Sequence, residues 1–291
     1  MSAIKILPES VSNKIAAGEV IERPASVLKE LLENSIDAGA EKISVSVEQS
    51  GIRLISVSDD GCGMSLDDAL LCIEPHATSK ISNAEDLNHI VSLGFRGEAI
   101  PSIGSVSRMK IKTRKKDSVE GTELVVEGGK IVSCKPVGCA EGTEVIVRDL
   151  FFNIPARKKF LRAESTEEKH ILETFCTSAL AHFQISFVLK INGNEIYSSP
   201  ASEDLRSRIR CFFGKTTDEN MILVEHSEAG IIINGFIARH GFTKTSRKDQ
   251  KIFVNNRPVE SHFIYAGIKE AYRGIISESR FPPVIIFLNI E

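Results

Sequence analysis

Hydrophobic and polar positions along the chain follow two periods. From Pro24 to Ala38 apolar residues recur every three or four positions, which predicts a helix, with Pro24 suited to its first turn and Gly39 to its C-terminal cap. Lys42 to Glu48 and Arg53 to Ser58 alternate apolar and polar residues, predicting two strands joined by a turn at Gln49-Ser50-Gly51. Further strands are predicted at Arg108 to Thr113, Thr122 to Glu127, Lys130 to Lys135 and Thr143 to Asp149, with Gly128-Gly129 as a tight hairpin turn. A helix from Thr166 to about His182, a strand from Ile185 to Ile191 and a turn at Asn192-Gly193 follow. The sum is an α+β fold with a mostly antiparallel sheet.

The polar stretch Ser198-Ser199-Pro200-Ala201-Ser202 reads as a linker, after which a shorter pattern begins: helix, strand, strand, helix, strand. Two domains are expected, residues 1–200 and 201–291. The final strand, Val284 to Ile290, runs into Glu291 without a closing cap, so the second domain is expected to continue in a longer protein.

Composition changes this picture little. At 42% hydrophobic and 26% charged, 291 residues suffice for a large core, and no apolar run is long enough to span a bilayer. No membrane role and a cytoplasmic location are therefore expected. Six cysteines lie scattered without a C-x-x-C pair, which indicates neither a zinc site nor a disulfide framework. A net charge of −3 excludes a protein whose whole surface grips nucleic acid, so any DNA contact has to be local. Basic clusters stand at Arg114-Lys115-Lys116, Arg157-Lys158-Lys159 with Arg162, Arg206/Arg208/Arg210, and Arg247-Lys248 with Lys251; most such runs are solvated surface.

Three segments could carry chemistry. On the first helix Glu30 and Asn34 are one turn apart, a carboxylate able to take a proton from water beside an amide oxygen suited to Mg2+. They sit on a polar face with Ser26, Glu33 and Asp37, which also describes an ordinary solvated helix. Asp59-Asp60-Gly61-Cys62-Gly63 ends a predicted strand, where a carboxylate can accept a hydrogen bond from an amino group such as that of adenine and two glycines permit close approach, although many plain turns share the pattern. Leu93-Gly94-Phe95-Arg96-Gly97-Glu98-Ala99, after His76-Ala77-Thr78-Ser79-Lys80, could aim backbone N–H groups at phosphates, with Lys80 and Arg96 supplying charge. It lacks the G-K-[ST] ending of a P-loop and the strand-helix-strand setting of a dinucleotide fingerprint.

In order, Glu30-x-x-x-Asn34, Asp59-x-Gly61-x-Gly63, Gly94-x-x-Gly97-x-Ala99 and Gly142-Thr143 resemble the four nucleotide-binding motifs of the GHKL superfamily. The strings Lys14 to Ser26 (KIAAGEVIERPAS), His76 to Ile81 (HATSKI), Leu93 to Ala99 (LGFRGEA), Asn153 to Leu161 (NIPARKKFL) and Val254 to Pro258 (VNNRP) narrow the resemblance to the MutL family of DNA mismatch-repair proteins, over the whole chain.

That resemblance implies a Bergerat-type ATPase sandwich of helices on a mixed sheet, then a small α/β domain with a left-handed crossover. It implies ATP and Mg2+ as ligands and slow ATP hydrolysis. Glu30 would be the general base, Asn34 the Mg2+ ligand, Asp59 the adenine contact and Thr143 its water-bridged assistant. Gly61 and Gly63 would make room for the base. Thr78, Ser79 and Lys80, with Gly94, Phe95, Arg96, Gly97, Glu98 and Ala99, would close over the phosphates. It further implies homodimerisation on ATP binding through an N-terminal strap (Ile4 to Arg23), sequence-independent DNA binding through a groove with Arg157, Lys158, Lys159 and Arg257, and cooperation with the mismatch-recognition protein MutS and downstream repair enzymes.

Departures from the family pattern are Asp60 where it usually has Asn, Pro75 where it usually has Arg, and a phosphate-reaching Lys expected just beyond Glu291, whose absence would impair turnover more than binding. Alternatives are a nucleotide-sensing scaffold with little catalysis and a type II topoisomerase ATPase subunit.

Overall fold

The computed structural model describes residues 18, 20–78, 92–94, 97–202 and 204–290. They divide into two compact units, Met1–Ser178 with Ile185–Ala201, and Ala179–Gln184 with Ser202–Glu291.

The first unit is built on eight strands: β1 (Lys42–Glu48), β2 (Leu54–Asp59), β3 (Arg108–Arg114), β4 (Gly121–Glu127), β5 (Lys130–Val137), β6 (Gly142–Arg148), β7 (Ser186–Ile191) and β8 (Asn194–Ser199), in sheet order β5-β4-β3-β6-β2-β1-β7-β8. Every neighbouring pair is antiparallel except β1 with β7, where Lys42 lies opposite Ser186. The alternation seen in sequence becomes sidedness: Ile43, Val45 and Val47 on β1 and Met109 and Ile111 on β3 are buried, while their neighbours lean outward. Helix α1 (Pro24–Asp37) starts with Pro24 at its first turn and lies against β2, burying Val27, Leu28, Leu31 and Leu32. The described residues of this part of the chain also form α2 (Leu66–Leu71), α3 (Ala99–Ser105), α4 (Pro155–Phe160) and α5 (Glu164–Ala181). On α5, Phe175 meets Phe187 of β7 edge-on at 5.9 Å between ring centroids and stacks on Tyr197 of β8 at 6.2 Å, closing that end of the sheet.

The second unit holds α6 (Leu205–Glu219), β9 (Met221–Glu228), β10 (Ile231–Ala238), β11 (Gln250–Val254), β12 (Arg257–Pro258), α7 (His262–Ala271) and β13 (Val284–Ile290). Its sheet order is β12-β11-β13-β10-β9; β11 and β13 run parallel, linked through α7. Leu205, Ile209, Phe236, Phe253, Ile285 and Phe287 fill one core. Ile252, Val284 and Ile286 face the other way against Ile264, Tyr265 and Ile268 of α7. The pattern read from sequence lacks two strands here, β11 and the two-residue β12. Gln250, Ile252 and Phe253 are all buried, so the central β11 has no polar side to alternate with. The Arg206/Arg208/Arg210 cluster is likewise not a solvated run throughout: Arg208 is 1% exposed and donates to the Phe183 carbonyl at 2.7 Å.

Among the described residues no helix is long and apolar enough to cross a membrane.

Candidate nucleotide site

Helix α1 carries the first group. Its outward face presents Glu30, Glu33, Asn34 and Asp37, all half-buried. Lys29 pairs with Glu33 at 2.9 Å and stands 3.5 Å from Glu30, whose side chain is 23% exposed. That exposure leaves the Glu30 carboxylate within reach of water. Burial pushes the Glu33 carboxyl above its ordinary range despite the Lys29 charge beside it.

The second group meets at the end of β2. Ser35, buried on the sheet side of α1, donates its hydroxyl to Asp59 Oδ2 at 2.7 Å, and the backbone N–H groups of Gly61 and Thr143 donate to Oδ1 at 3.0 and 3.3 Å. Strand register explains the meeting, since Asp59 lies opposite Thr143 on β6 and Thr143 opposite Thr113 on β3. The two threonine hydroxyls are 3.0 Å apart, and Thr113 Oγ1 also accepts from the Met64 N–H at 2.8 Å. Burial raises the pKa of Asp59, while the Ser35, Gly61 and Thr143 donors pull it back. Gly63 has φ +64° and a β-carbon there would run into the Arg114 carbonyl, so both conformation and space require glycine. Asp60 points the other way: its Oδ1 accepts from the N–H groups of Glu41 and Lys42, each at 2.8 Å. An Asn oxygen could accept the same pair, so this departure from the family pattern keeps the contact.

The third group is joined to the first by Asp37. One carboxylate oxygen accepts from the Leu93 N–H at 2.9 Å and the other from the Gly94 N–H at 3.0 Å, pinning the start of the glycine loop to the end of α1. Beyond it, Gly97 packs on the Ala77 backbone, Glu98 stands 3.4 Å from His76, and Ala99 opens α3. Thr78 is half-buried near the end of the preceding segment. Ser79, Lys80, Phe95 and Arg96 lie outside the described residues, as does most of the Ile4 to Arg23 strap.

Helix α1 is thus the common support: Glu30, Asn34 and Asp37 on one face, Ser35 on the other. Sequence reasoning missed Ser35, Asp37 and Thr113 as members of the site. Ser35 had a visible signal, a hydroxyl in an otherwise apolar row. Thr113 had none, because its part depends on cross-strand register.

The basic candidates fall on different elements. Lys158 and Lys159 on α4 are exposed, and Arg257 on β12 is half-buried. Arg157 is half-buried, with Nη1 donating to the Ile21 carbonyl at 2.9 Å.

A helix-backed mixed sheet whose end gathers these three groups is the frame of one class of nucleotide-binding protein, and residues 21–130 match the family described as histidine kinase-, DNA gyrase B-, and HSP90-like ATPase. Residues 209–291 match the DNA mismatch repair protein, C-terminal domain. Curated DNA mismatch repair proteins MutL from Geobacter sp. (strain M21) and Opitutus terrae are each 44% identical, across 99% and 100% of this chain respectively. The chain spans just under half of their length, 44% and 46%. Among solved structures, the Aquifex aeolicus MutL ATPase domain complexed with ADP superposes with a TM-score of 0.69 and 32% identity, over 94% of this chain and 93% of that one. The N terminal domain of a DNA repair protein gives a TM-score of 0.82 at 26% identity, covering 96% and 86%. The chain belongs to the MutL family of DNA mismatch repair proteins and comprises its GHKL-type ATPase region. The match to MutL proteins across the whole of this chain sets aside the topoisomerase alternative.

Proposed function

We propose that this chain binds ATP with Mg2+, hydrolyses it slowly, and uses the bound nucleotide to drive N-terminal homodimerisation in mismatch repair. The observation that carries this reading is the joining of all three motif groups through α1 by Ser35 and Asp37. The site suits its ligands. A carboxylate offers about four lone-pair sites; Asp59 has three donors in place, which leaves one for an exocyclic amino group. Glu30 and Asn34 offer two oxygen-bearing side chains one turn apart, the hard-donor set that Mg2+ takes.

In this reading Glu30 takes the proton of the attacking water, and Asn34 offers its amide oxygen to the metal. Bound Mg2+ supplies neutralisation of phosphate charge. Asp59 selects the base, Thr143 assists through water, and Gly61 and Gly63 make room. Thr78, Ser79, Lys80 and the segment Gly94 to Ala99 cover the phosphates and exclude solvent, with Asp37 fixing where that segment begins beside α1. Lys158, Lys159 and Arg257 contact DNA backbone without reading sequence. MutS and downstream repair enzymes are the partners, and the location is cytoplasmic.

Steady-state phosphate release with Mg2+-ATP, beside calorimetric nucleotide binding, tests the core of this reading. Glu30→Ala should retain binding and lose turnover by about 100-fold or more. A parent chain that binds no ATP would sink the reading, and undiminished turnover in Glu30→Ala would remove the base assignment. Light scattering with a non-hydrolysable analogue tests the switch: dimer is expected with analogue and monomer without.

A further inference from the structure

Three consecutive cations on α4 meet different surroundings. Lys158 and Lys159 are exposed, whereas Arg157 turns back toward the chain that precedes α1. Its Nη1 donates to the carbonyl of Ile21, a residue 0% exposed and three positions before Pro24 at the start of α1. Its guanidinium also occupies the space beside Gly18: a β-carbon built there would overlap Nη2, Cζ and Nη1 of Arg157 together. Gly18 is itself buried. A planar fork lying along backbone that lacks a side chain, while holding a carbonyl a few residues on, is a fitted contact that a single ammonium could not reproduce. The contact matters because of what it abuts. Ile21 leads through Arg23, which provides no side-chain cap, into the helix that bears Glu30 and Asn34.

We infer that Arg157 is a positioning residue that latches the N-terminal segment onto the ATPase unit at Gly18 and Ile21, and that it is not a DNA contact. Its consequence for dimerisation rests on the nucleotide-driven switch proposed above. The latch fixes the approach to α1 at Gly18 and Ile21, so a second copy of this chain meets that approach in one place. Without the latch the nucleotide still binds, but the surface offered to a second copy is spread over many conformations, and self-association falls.

The experiment combines three readouts on the parent, Arg157→Ala, Arg157→Lys, Gly18→Ala and the Gly18→Ala/Arg157→Ala double variant. Amide hydrogen exchange at residues 20–23 should quicken at least about tenfold in every single variant. Analogue-dependent dimerisation should weaken by about tenfold or more, with nucleotide affinity within about threefold of the parent. Duplex affinity of Arg157→Ala should stay within about twofold, unlike that of Lys158→Glu. Adding Gly18→Ala to Arg157→Ala should cause no further loss, because the methyl group then has nothing to displace. Independent, additive effects of the two substitutions would overturn the latch. So would unchanged exchange at residues 20–23, or a loss of DNA affinity in Arg157→Ala with dimerisation intact. A parent that fails to dimerise with analogue would refute the switch instead, and the exchange data and double-variant comparison would still decide the latch.

Discussion

Asp59 combines two opposed influences on one carboxylate. Burial favours its protonated form, the Ser35, Gly61 and Thr143 donors favour the charged one, and burial prevails. With the folded pKa above the unfolded one, the charged form carries a stability penalty. That penalty is absent below the unfolded value of about 3.9 and complete once pH exceeds the raised folded value. Asp59→Asn removes it, so the stability difference between variant and parent should move in the variant's favour as pH rises through that window; pH-resolved urea unfolding reads this directly. The same change turns an acceptor into a donor facing donors, and ATP affinity should fall by about tenfold or more in calorimetry. Two thiols provide a second check at this scale. Burial, with Asp68 nearby, pushes the Cys72 pKa up to about 12, while Cys62 is exposed within the glycine segment after Asp59. Alkylation at pH 8 should label Cys62 long before Cys72, which should wait until the chain unfolds, and ATP should slow labelling of Cys62. Equal labelling with and without nucleotide would place Cys62 away from the bound ligand.

Helix α2 illustrates a short element held by its first turn. Ser65 accepts from the Asp68 N–H, and Asp68 reaches back to the Ser65 N–H and hydroxyl, forming a capping box. Those bonds hold the Asp68 carboxyl below its ordinary range, so their contribution is present above pH about 3.9 and lost as pH falls further. Ser65→Ala should cost about 1 kcal/mol in denaturant unfolding at neutral pH. Neither α2 nor α3 was legible in sequence, since six or seven residues hold fewer than two turns of apolar repeat. Helix α1 was legible because its Pro24 start and apolar row agree, and its face assignment carried over to Val27, Leu28, Leu31, Leu32 and Ser35. Turns were legible where their chemistry is specific, since Gly128-Gly129 and Asn192-Gly193 all adopt positive φ between paired strands, but β8 was not predicted, and it takes in Ser198 and Ser199, which read as linker. What pattern could not supply was the site's interior, because the Asp59–Thr143–Thr113 row and the Asp37 clamp join residues far apart in sequence.

At the scale of the molecule, a formal charge of −3 repels DNA on average, so binding has to come from local cations. Duplex affinity should fall steeply with salt, and Lys158→Glu or Arg257→Glu should each lower the slope of log affinity against log salt by about one unit or more. A slope unchanged in either variant would remove that residue from the interface. The sheet order β5-β4-β3-β6-β2-β1-β7-β8 has a consequence for how the chain is made. The hairpin of β1 and β2 leaves the ribosome early, yet β6 must arrive to cover one of its edges and β7 the other. Roughly 140 residues separate Lys42 from its partner Ser186, which at bacterial-like elongation rates is about 7 to 30 s of synthesis. Both edges of the hairpin stay bare until β6 is made, and the β1 edge stays bare for the whole interval, so chaperone capture of unfinished chains, and aggregation of prematurely terminated ones, follow from the order in which the sheet is threaded.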